Sequence, residues 1–294
     1  NITQVFNVTV NGETREINFI NNYGVWVHRV TQAGTVKFNI NLEEDDYYYS
    51  ANKNTSKFFN CTFYIDSVNG DNSNIGTSPD KSFKDFKHAL NLLISGGTIY
   101  VLKGKYTGEN NTNITIKKDV NLYGLDNIIF TTKNNNIRVF TVENGLLYIA
   151  NIIFSNISFN GEGGAIYTTN KGRIEIIDSK FINNNINGNG LIYLNSTENI
   201  INRTEFINNT AINGGAIFIE GDNNIIVSSS FVDNTADYNG GAISIDGDGN
   251  IVGYTRFFNN GDNTLKQVYN SGYGSNLSFN WWGDNFNPLS AHIN

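Results

Sequence analysis

The sequence predicts an all-β solenoid, a fold in which the short strands of successive turns stack on one another. A phenylalanine followed three residues later by an asparagine recurs in the second half of the chain, as does a glycine turn that leads into an isoleucine. Both motifs return about every 25 residues, a period typical of repeats that bury their cores only by stacking. The phenylalanines are Phe181, Phe206, Phe231 and Phe257, the asparagines are Asn184, Asn209, Asn234 and Asn260, and the glycine turns begin at Gly163, Gly190, Gly214 and Gly240.

Alternation before each phenylalanine predicts which side chains point into the coil. Two positions keep their chemistry from turn to turn, so we expect them to point inward and stack. One carries Ser179, Thr204, Ser229 and Thr255, and the other carries Ile176, Ile201, Ile226 and Val252. The positions between them vary and are polar, so we expect them outside. There Asp178 would lie beside Arg203 and Lys180 beside Glu205, two pairs of opposite charge.

Asparagine is the commonest residue, with 53 copies in a chain of 294. We expect it in turns and in side-chain ladders between stacked strands. The glycine turns mark bends where a side chain would obstruct the next turn of the coil. Because each repeat is too long for two strands and has no helix pattern, we predict a parallel coil of three sheets. It would span residues 98–294 and end in a C-terminal cap.

One helix is predicted before the solenoid, over residues 79–95, within an entry segment at residues 60–97. Ser78-Pro79-Asp80 is a helix start signal, and Gly96-Gly97 would end the helix. Its apolar face would be formed by Phe83, Phe86, Leu90 and Leu93. We expect this helix to cover the exposed end of the stack, where a strand edge would otherwise stay unpaired.

Residues 1–59 differ from the rest and predict a small β unit of about four strands. Alternating apolar runs at residues 5–10, 17–20, 25–27 and 36–40 are separated by turn signals. Residues 33–38, with the acidic and aromatic run at residues 43–49, resemble the end of immunoglobulin-like repeats. The unit would therefore be part of such a sandwich or a cap on the solenoid, and we interpret the acidic run as a solvated turn.

Composition excludes several classes of function. A formal charge of −7 and a pI near 5.0 argue against nucleic acid as a partner. No apolar stretch is long enough to span a bilayer, so we expect no membrane insertion in this segment. Cys61 stands alone, which excludes a disulfide framework. The chain contains no Met, so we expect it to be a piece of a larger protein.

Four acidic residues near the end of the repeats are candidates for a ligand or ion site. They are Glu220, Asp222, Asp246 and Asp248. Asp222 and Asp246 follow equivalent strands of adjacent turns, so they would form an acidic ridge. Residues 246–250 resemble a calcium loop only in part, because an EF-hand needs glycine where Ile251 stands. We interpret these side chains as solvated turn residues, with a Ca²⁺ site as the alternative.

Adjacent tryptophans mark the end of the solenoid. Trp281 and Trp282 break the repeat pattern, as terminal units of solenoids do. We interpret the pair as a cap. The alternative is a surface on which sugar rings stack, because aromatic faces suit sugar rings.

Catalytic residues are not predicted. Hydrolysis in a solenoid needs carboxylates that converge on one face, and lyase chemistry needs a base beside acidic groups that hold Ca²⁺. The basic residues of this chain are scattered along the sequence, and no such constellation is visible in it. We therefore predict a non-catalytic protein without a cofactor.

The repeat motifs resemble those of known surface proteins. The pairing of Gly-Gly-Ala-Ile at residues 214–217 with Phe-x-x-Asn at residues 206–209 resembles the repeats of chlamydial polymorphic outer-membrane proteins. The segments at residues 64–71, 96–101 and 280–283, with the asparagine-rich composition, resemble the adhesin-like proteins of methanogenic archaea. The resemblance covers residues 63–285. It implies a right-handed parallel β-helix, similar to that of pectate lyases.

The same resemblance implies adhesion at an archaeal cell surface. We expect an extracellular module, monomeric when isolated, that binds a glycan or protein on the surface of a host, protozoal or bacterial cell. Because this fold hosts many functions, two alternatives stay open. One is a polysaccharide lyase or hydrolase, and the other is a structural stalk without a ligand.

Overall fold

The structure, a computed structural model, describes residues 3–10, 13–20, 34–42, 51–132, 136–261 and 266–283. The chain divides into two compact units. One comprises residues 1–61 with 92–95, and the other comprises residues 62–91 with 96–294. No helix within the described ranges is long and apolar enough to cross a bilayer.

The first unit contains a small antiparallel sheet. Its strands are β1 (Thr3–Val10), β2 (Glu13–Ile20), β3 (Gly34–Leu42) and β4 (Ala51–Ile65). They lie in the order β2, β1, β3, β4, and Val8, Val10 and Val36 form the buried core. Three of the four predicted strands are confirmed. The fourth, at residues 25–27, and the acidic run at residues 43–49 lie outside the described residues.

The second unit is the predicted parallel β-solenoid, and it has about six turns. Each turn passes along up to four sides, and equivalent strands of successive turns pair in parallel. The right-handed sense of the coil stays a prediction.

The strands of each side pair in the order given. Side 1 contains β5 (Leu93–Val101), β8 (Val120–Gly124), β11 (Gly145–Ala150), β15 (Gly172–Ile177), β19 (Ile200–Asn202), β23 (Ile225–Val227) and β27 (Ile251–Gly253). Side 2 contains β6 (Gly104–Tyr106), β9 (Ile128–Phe130), β12 (Ile153–Ser155), β16 (Lys180–Ile182), β20 (Glu205–Ile207), β24 (Ser230–Val232) and β28 (Arg256–Phe258). Side 3 contains β13 (Ser158–Asn160), β17 (Asn185–Asn187), β21 (Thr210–Asn213) and β25 (Thr235–Asn239). Side 4 contains β7 (Ile114–Ile116), β10 (Phe140–Val142), β14 (Ile166–Thr168), β18 (Ile192–Leu194), β22 (Ile217–Ile219), β26 (Ile243–Ile245) and β29 (Val268–Asn270).

The prediction of three sheets is wrong, because side 3 adds a fourth. Each of its strands turns few residues inward: in β17, Ile186 is buried between exposed Asn185 and Asn187. A single apolar residue between polar ones gives no alternation to detect, so the pattern predicts a bend there.

The predicted helix over residues 79–95 is shorter and interrupted. A 3-10 helix covers Pro79–Lys81, and α1 covers Phe86–Leu92. Between them, the Phe83 N–H donates to the Tyr64 carbonyl, and the Phe83 carbonyl accepts the Asp66 N–H. These strand-like bonds satisfy the backbone that a continuous helix would need, so the helix cannot form through Phe83.

The predicted end of the helix is also wrong, and its expected role is confirmed only in part, because β4 and not the helix lies next to β5 in the strand order. Gly96 and Gly97 lie inside β5 instead of ending the helix. Phe86 of α1 is fully buried, and its ring lies 5.4 Å from that of Phe140. The helix therefore covers the apolar interior at the start of the coil.

The predicted phenylalanine column forms the centre of the solenoid. Phe206 is fully buried, and its ring lies 4.9 Å from that of Phe181 and 4.6 Å from that of Phe231. The rings are within 8° of parallel. The whole stack consists of Tyr106, Phe130, Phe154, Phe181, Phe206, Phe231, Phe257 and Trp282.

The predicted hydroxyl ladder is confirmed as well. The Ser229 hydroxyl donates to the Val227 carbonyl at 2.9 Å and accepts the Thr204 N–H of the previous turn at 3.2 Å. Ser179, Thr204 and Thr255 donate in the same way to the carbonyl two residues before them. All four side chains are buried, and each hydroxyl satisfies its hydrogen-bonding capacity within the coil.

Buried asparagines form ladders, as expected from their abundance. The Asn209 side-chain amide donates to Asn234 Oδ1 at 2.8 Å and to the Phe181 carbonyl at 2.9 Å. One ladder consists of Asn184, Asn209, Asn234 and Asn260, and a second consists of Asn199, Asn224 and Asn250. The glycine turns behave as predicted too: a Cβ on Gly215 would lie 2.2 Å from the Gly241 carbonyl oxygen of the next turn.

Candidate functional site

The outer face of side 2 carries paired charges in the middle turns of the coil. Arg203 Nε lies 2.7 Å from Asp178 Oδ1, and Lys180 Nζ lies 2.9 Å from Glu205 Oε2. Both predicted pairs are therefore confirmed. The hydrogen bond from Arg203 lowers the pKa of Asp178 below its ordinary value. The four charges neutralise one another in two pairs, as expected of a face that stabilises the stacking of turns.

The same columns carry aromatic side chains at the end of the coil. Strand pairing places Arg256 after Ser230 and Trp281 after Arg256, and it places Phe258 after Val232. We call the group formed by Tyr254, Arg256, Phe258, Phe279 and Trp281 the terminal aromatic patch.

The rings of the terminal aromatic patch are open to solvent. Tyr254 and Phe279 are 69% and 75% exposed, yet their rings stack 5.2 Å apart and 7° from parallel. Ser228 lies one turn before Tyr254 in the same bend, so only a small side chain adjoins the other face of that ring. A stacked pair at the end of a column therefore keeps ring faces available for a ligand.

A single cation lies at the centre of the patch. Arg256 Cζ lies 5.2 Å from the ring centre of Phe258 and 5.1 Å from that of Trp281. These are cation–π distances, and Arg is the cation that stacks best on aromatic faces. The two rings and the guanidinium thus form one connected surface beside the Tyr254–Phe279 pair.

The backbone is strained at the two residues of the terminal aromatic patch whose rings are most exposed. Tyr254 and Phe279 have φ angles of +52° and +61°, and the same bend in earlier turns carries Asp178, Arg203 and Ser228. A bulky residue at positive φ costs about 1–2 kcal/mol. The bend recurs in successive turns, so the fold itself holds the two rings in this conformation.

The two tryptophans have different roles. Trp282 is buried and stacks on Phe257, with the ring centres 4.7 Å apart, so it ends the internal phenylalanine column. Trp281 points outward and is 40% exposed. The predicted cap therefore describes Trp282, and of the two residues only Trp281 belongs to a surface that a ligand can reach.

The acidic residues follow equivalent strands of adjacent turns, as predicted. Ile219 pairs with Ile245, which places Glu220 beside Asp246 and Asp222 beside Asp248.

Each carboxylate of the ridge accepts a hydrogen bond from a residue of an adjacent turn. Asp222 Oδ1 accepts the Asp248 N–H, and Asp248 Oδ1 accepts the Tyr273 N–H, both at 2.8 Å. Asp246 accepts the Ser271 hydroxyl, and Glu220 accepts the Tyr193 hydroxyl, also at 2.8 Å. Among the described residues no group of three His, Cys, Asp or Glu side chains could hold a metal ion. The ridge residues fit a role in fastening turns better than a Ca²⁺ site.

A cleft of about 300 Å³ opens at the bend between sides 1 and 2. Leu125, Asp126, Asn127 and Asn151 line it together with Asp178 and Lys180. The last two are the ion-paired residues of the middle turns. Since Arg203 keeps the pKa of Asp178 low, this carboxylate is unsuited to act as a proton donor.

Comparisons with known proteins are sparse. No protein-family model matches the chain, and no curated protein matches it. Among solved structures, the chain is similar to ORF18 of Geobacillus virus E2, with 12% identity and a TM-score of 0.26. The match covers 81% of this chain and 66% of the viral chain, so the chain spans just under two thirds of that protein. A TM-score this low carries no argument about fold or function.

Proposed function

We propose that this chain is a non-catalytic, extracellular adhesion module that binds surface glycans through the terminal aromatic patch. The observation that carries the proposal is the stacked pair of Tyr254 and Phe279, whose rings stay largely exposed in a strained bend. Contiguous exposed apolar surface is uncommon on soluble proteins and marks interaction sites.

The chemistry of the patch favours a saccharide. The C–H face of a pyranose ring is apolar and packs on an aromatic face, while its hydroxyl groups stay at the edge. Four aromatic rings lie on one outer surface here, and Arg256 adds hydrogen-bond donors among them. A long, regular solenoid offers such a lateral surface to a polymer in place of a deep pocket.

The cellular setting rests on motif resemblance. The repeats resemble those of methanogen adhesin-like proteins, so we place the module on the outside of an archaeal cell, with a glycan of another cell as its partner. We propose that the isolated module is monomeric and needs no cofactor.

A binding assay on a polysaccharide panel tests the proposal. The full chain is incubated with plant, bacterial and host polysaccharides, and depletion from solution is measured for the wild type, for Phe279→Ala/Trp281→Ala and for Tyr238→Ala. Tyr238 is the matched control, because it is 68% exposed and lies on side 3. We expect the double variant to lose affinity by about tenfold or more, as loss of aromatic anchors does, and the control to bind like the wild type.

Other outcomes would favour the alternatives. Failure of the wild type to bind any polysaccharide in the panel would favour a stalk without a ligand. Release of new reducing ends or unsaturated products would instead indicate a lyase or hydrolase, and the cleft beside Asp126 would be the first place to look.

A further inference from the structure

We infer that the terminal aromatic patch selects acidic saccharides, with Arg256 as the group that binds a sugar carboxylate. The inference rests on the proposed glycan-binding function and adds the chemical class of the ligand. It depends on two features of Arg256: its charge has no acidic partner in the part of the chain that the structure describes, and its guanidinium lies against two partly exposed rings.

In the middle turns, three outward cations are paired with acids. Arg173 lies 2.9 Å from Glu198, Lys180 pairs with Glu205, and Arg203 pairs with Asp178. Arg256 occupies the column of Lys180 and Glu205, but Ser230 stands beside it where an acid would pair. Its polar contact there is a long one, 3.5 Å from the guanidinium to the Ser230 hydroxyl. The column therefore has serine in place of an acidic residue next to the turn where the aromatic rings appear.

The neighbouring rings hold the guanidinium in position. Contacts with Phe258 and Trp281 use the faces of these rings, which leaves N–H groups at the edge of the guanidinium free to donate. An Arg side chain binds a carboxylate with two parallel hydrogen bonds, and its charge persists at every physiological pH. A carboxylate bound there would lie beside open aromatic faces, which is the arrangement that an acidic sugar ring needs.

Local charge favours this ligand although the whole chain is acidic. Arg256 is the charged member of the patch, and the adjoining positions Ser228, Ser230 and Val232 are neutral. Asp233, which follows Val232, accepts a hydrogen bond from the Asn259 amide. Charges more than about 10 Å away are largely screened at physiological salt, so the formal charge of −7 does not exclude an anion from the patch.

A matched pair of polymers tests the inference. Binding of the full chain is measured to a uronic-acid polymer and to the same polymer after its carboxyl groups are reduced to alcohols. Sulfated dextran and polyglutamate complete the set. The variants are Arg256→Gln, Arg256→Lys and, as the charge-matched control, Arg173→Gln.

We expect the wild type to bind the carboxylated polymer about tenfold more tightly than its reduced form, as a hydrogen-bonded charge allows. Arg256→Gln should remove this preference, because Gln carries no charge to pair with a carboxylate. Arg256→Lys should lose most of the preference, because Lys cannot form the bidentate pair. Arg173→Gln should keep it.

Three results would overturn the inference and leave glycan binding intact. They are equal affinity for both forms of the polymer, equal loss in Arg173→Gln and Arg256→Gln, and equally tight binding of sulfated dextran. Binding of polyglutamate as tight as that of the uronic-acid polymer would show that charge alone suffices and would contradict a saccharide ligand. Failure to bind either form of the polymer, together with every other polysaccharide, would contradict the proposed function itself.

Discussion

The outer face of side 2 carries different residues in the middle and the last turns of the solenoid, whereas its inner face stays the same. In the middle turns, at residues 178–207, the outer columns carry opposite charges that pair across neighbouring strands. In the last turns, at residues 254–281, the same columns carry aromatic rings around Arg256, which has no acidic partner among the described residues. The inner column keeps its aromatic stack through both regions and ends at Trp282.

The difference shows that the inward and outward positions of the coil are under different constraints. Every inward position must fit between its neighbours in the turns before and after it, so its chemistry repeats. An outward side chain does not have to fit between neighbours in this way. Opposite charges at outward positions stabilise the pairing of adjacent strands, but the stack does not require them. A change in the outward columns without a change inside therefore indicates selection for something other than stacking, and in the last turns that change produces exposed rings.

The largest expected effect lies in the inner column. Phe206→Ala should lower the free energy of unfolding by about 3–5 kcal/mol, because it removes a fully buried ring between two stacked neighbours. Phe279→Ala, in the outer patch, should change it by less than about 0.5 kcal/mol. Chemical denaturation of both variants checks the contrast. Equal losses would mean that the patch is part of the structural core.

A smaller effect is expected for the internal amide ladder. Asn209→Leu should destabilise the fold by about 1–3 kcal/mol, since it removes the side-chain donor to the Phe181 carbonyl and the acceptor of the Asn184 side-chain amide. Thr210→Val removes an exposed hydroxyl that donates to Asn185 and should be nearly neutral. Denaturant midpoints of the two variants test this, and an unaffected Asn209→Leu would show that the ladder does not contribute to stability.

Stability and binding should change in opposite directions at the strained bend. Asn tolerates positive φ far better than Tyr, so Tyr254→Asn should stabilise the fold by up to about 1 kcal/mol. The same variant should bind glycans more weakly than the wild type, because it removes one ring of the stacked pair. Thermal unfolding and polysaccharide binding are measured on one preparation. A less stable variant would contradict the strain, and unchanged binding would exclude Tyr254 from the site.

The smallest effect concerns the ion pairs of the middle turns. Hydrogen bonding to Arg203 lowers the pKa of Asp178 in the folded state below its ordinary value of 3.8. The stability that this carboxylate contributes is therefore present above pH 3.8 and is lost as the pH falls through the lowered pKa. Asp178→Asn should be slightly less stable than the wild type at neutral pH, and the difference should vanish in acid. A pH series of denaturant midpoints tests it; a difference that grows in acid would refute the pair.

The sequence allowed the inside of the coil to be predicted well. Phe206, Thr204 and Asn209 recur with the same chemistry in each turn, because the stack requires it, so their columns were visible from the period alone. Side 3 was missed because each of its strands turns only one or a few side chains inward. The helix was drawn too long because nothing in the sequence indicates the bonds between Phe83 and the strand beside it.

The candidate site could be predicted only in part. Trp281 was recognised, but Tyr254 and Arg256 lie in columns that are otherwise polar, and their departure from those columns was the signal that could have revealed the patch. The partners of Asp222 within the ridge could not be predicted, because glycine-rich turns carry no apolar marker of register. Whether adjacent residues face in or out, as Trp281 and Trp282 do, depends on strand pairing at the end of the coil.

Footprinting of aromatic side chains tests the central claim most directly. The full chain is exposed to hydroxyl radicals with and without a bound polysaccharide, and oxidation of each aromatic residue is measured by mass spectrometry. We predict protection of Tyr254, Phe279 and Trp281, with Tyr238 and Tyr273 unchanged although they are 68% and 83% exposed. Protection of Tyr273, beside Asp248 of the acidic ridge, without protection of the terminal aromatic patch would contradict the account.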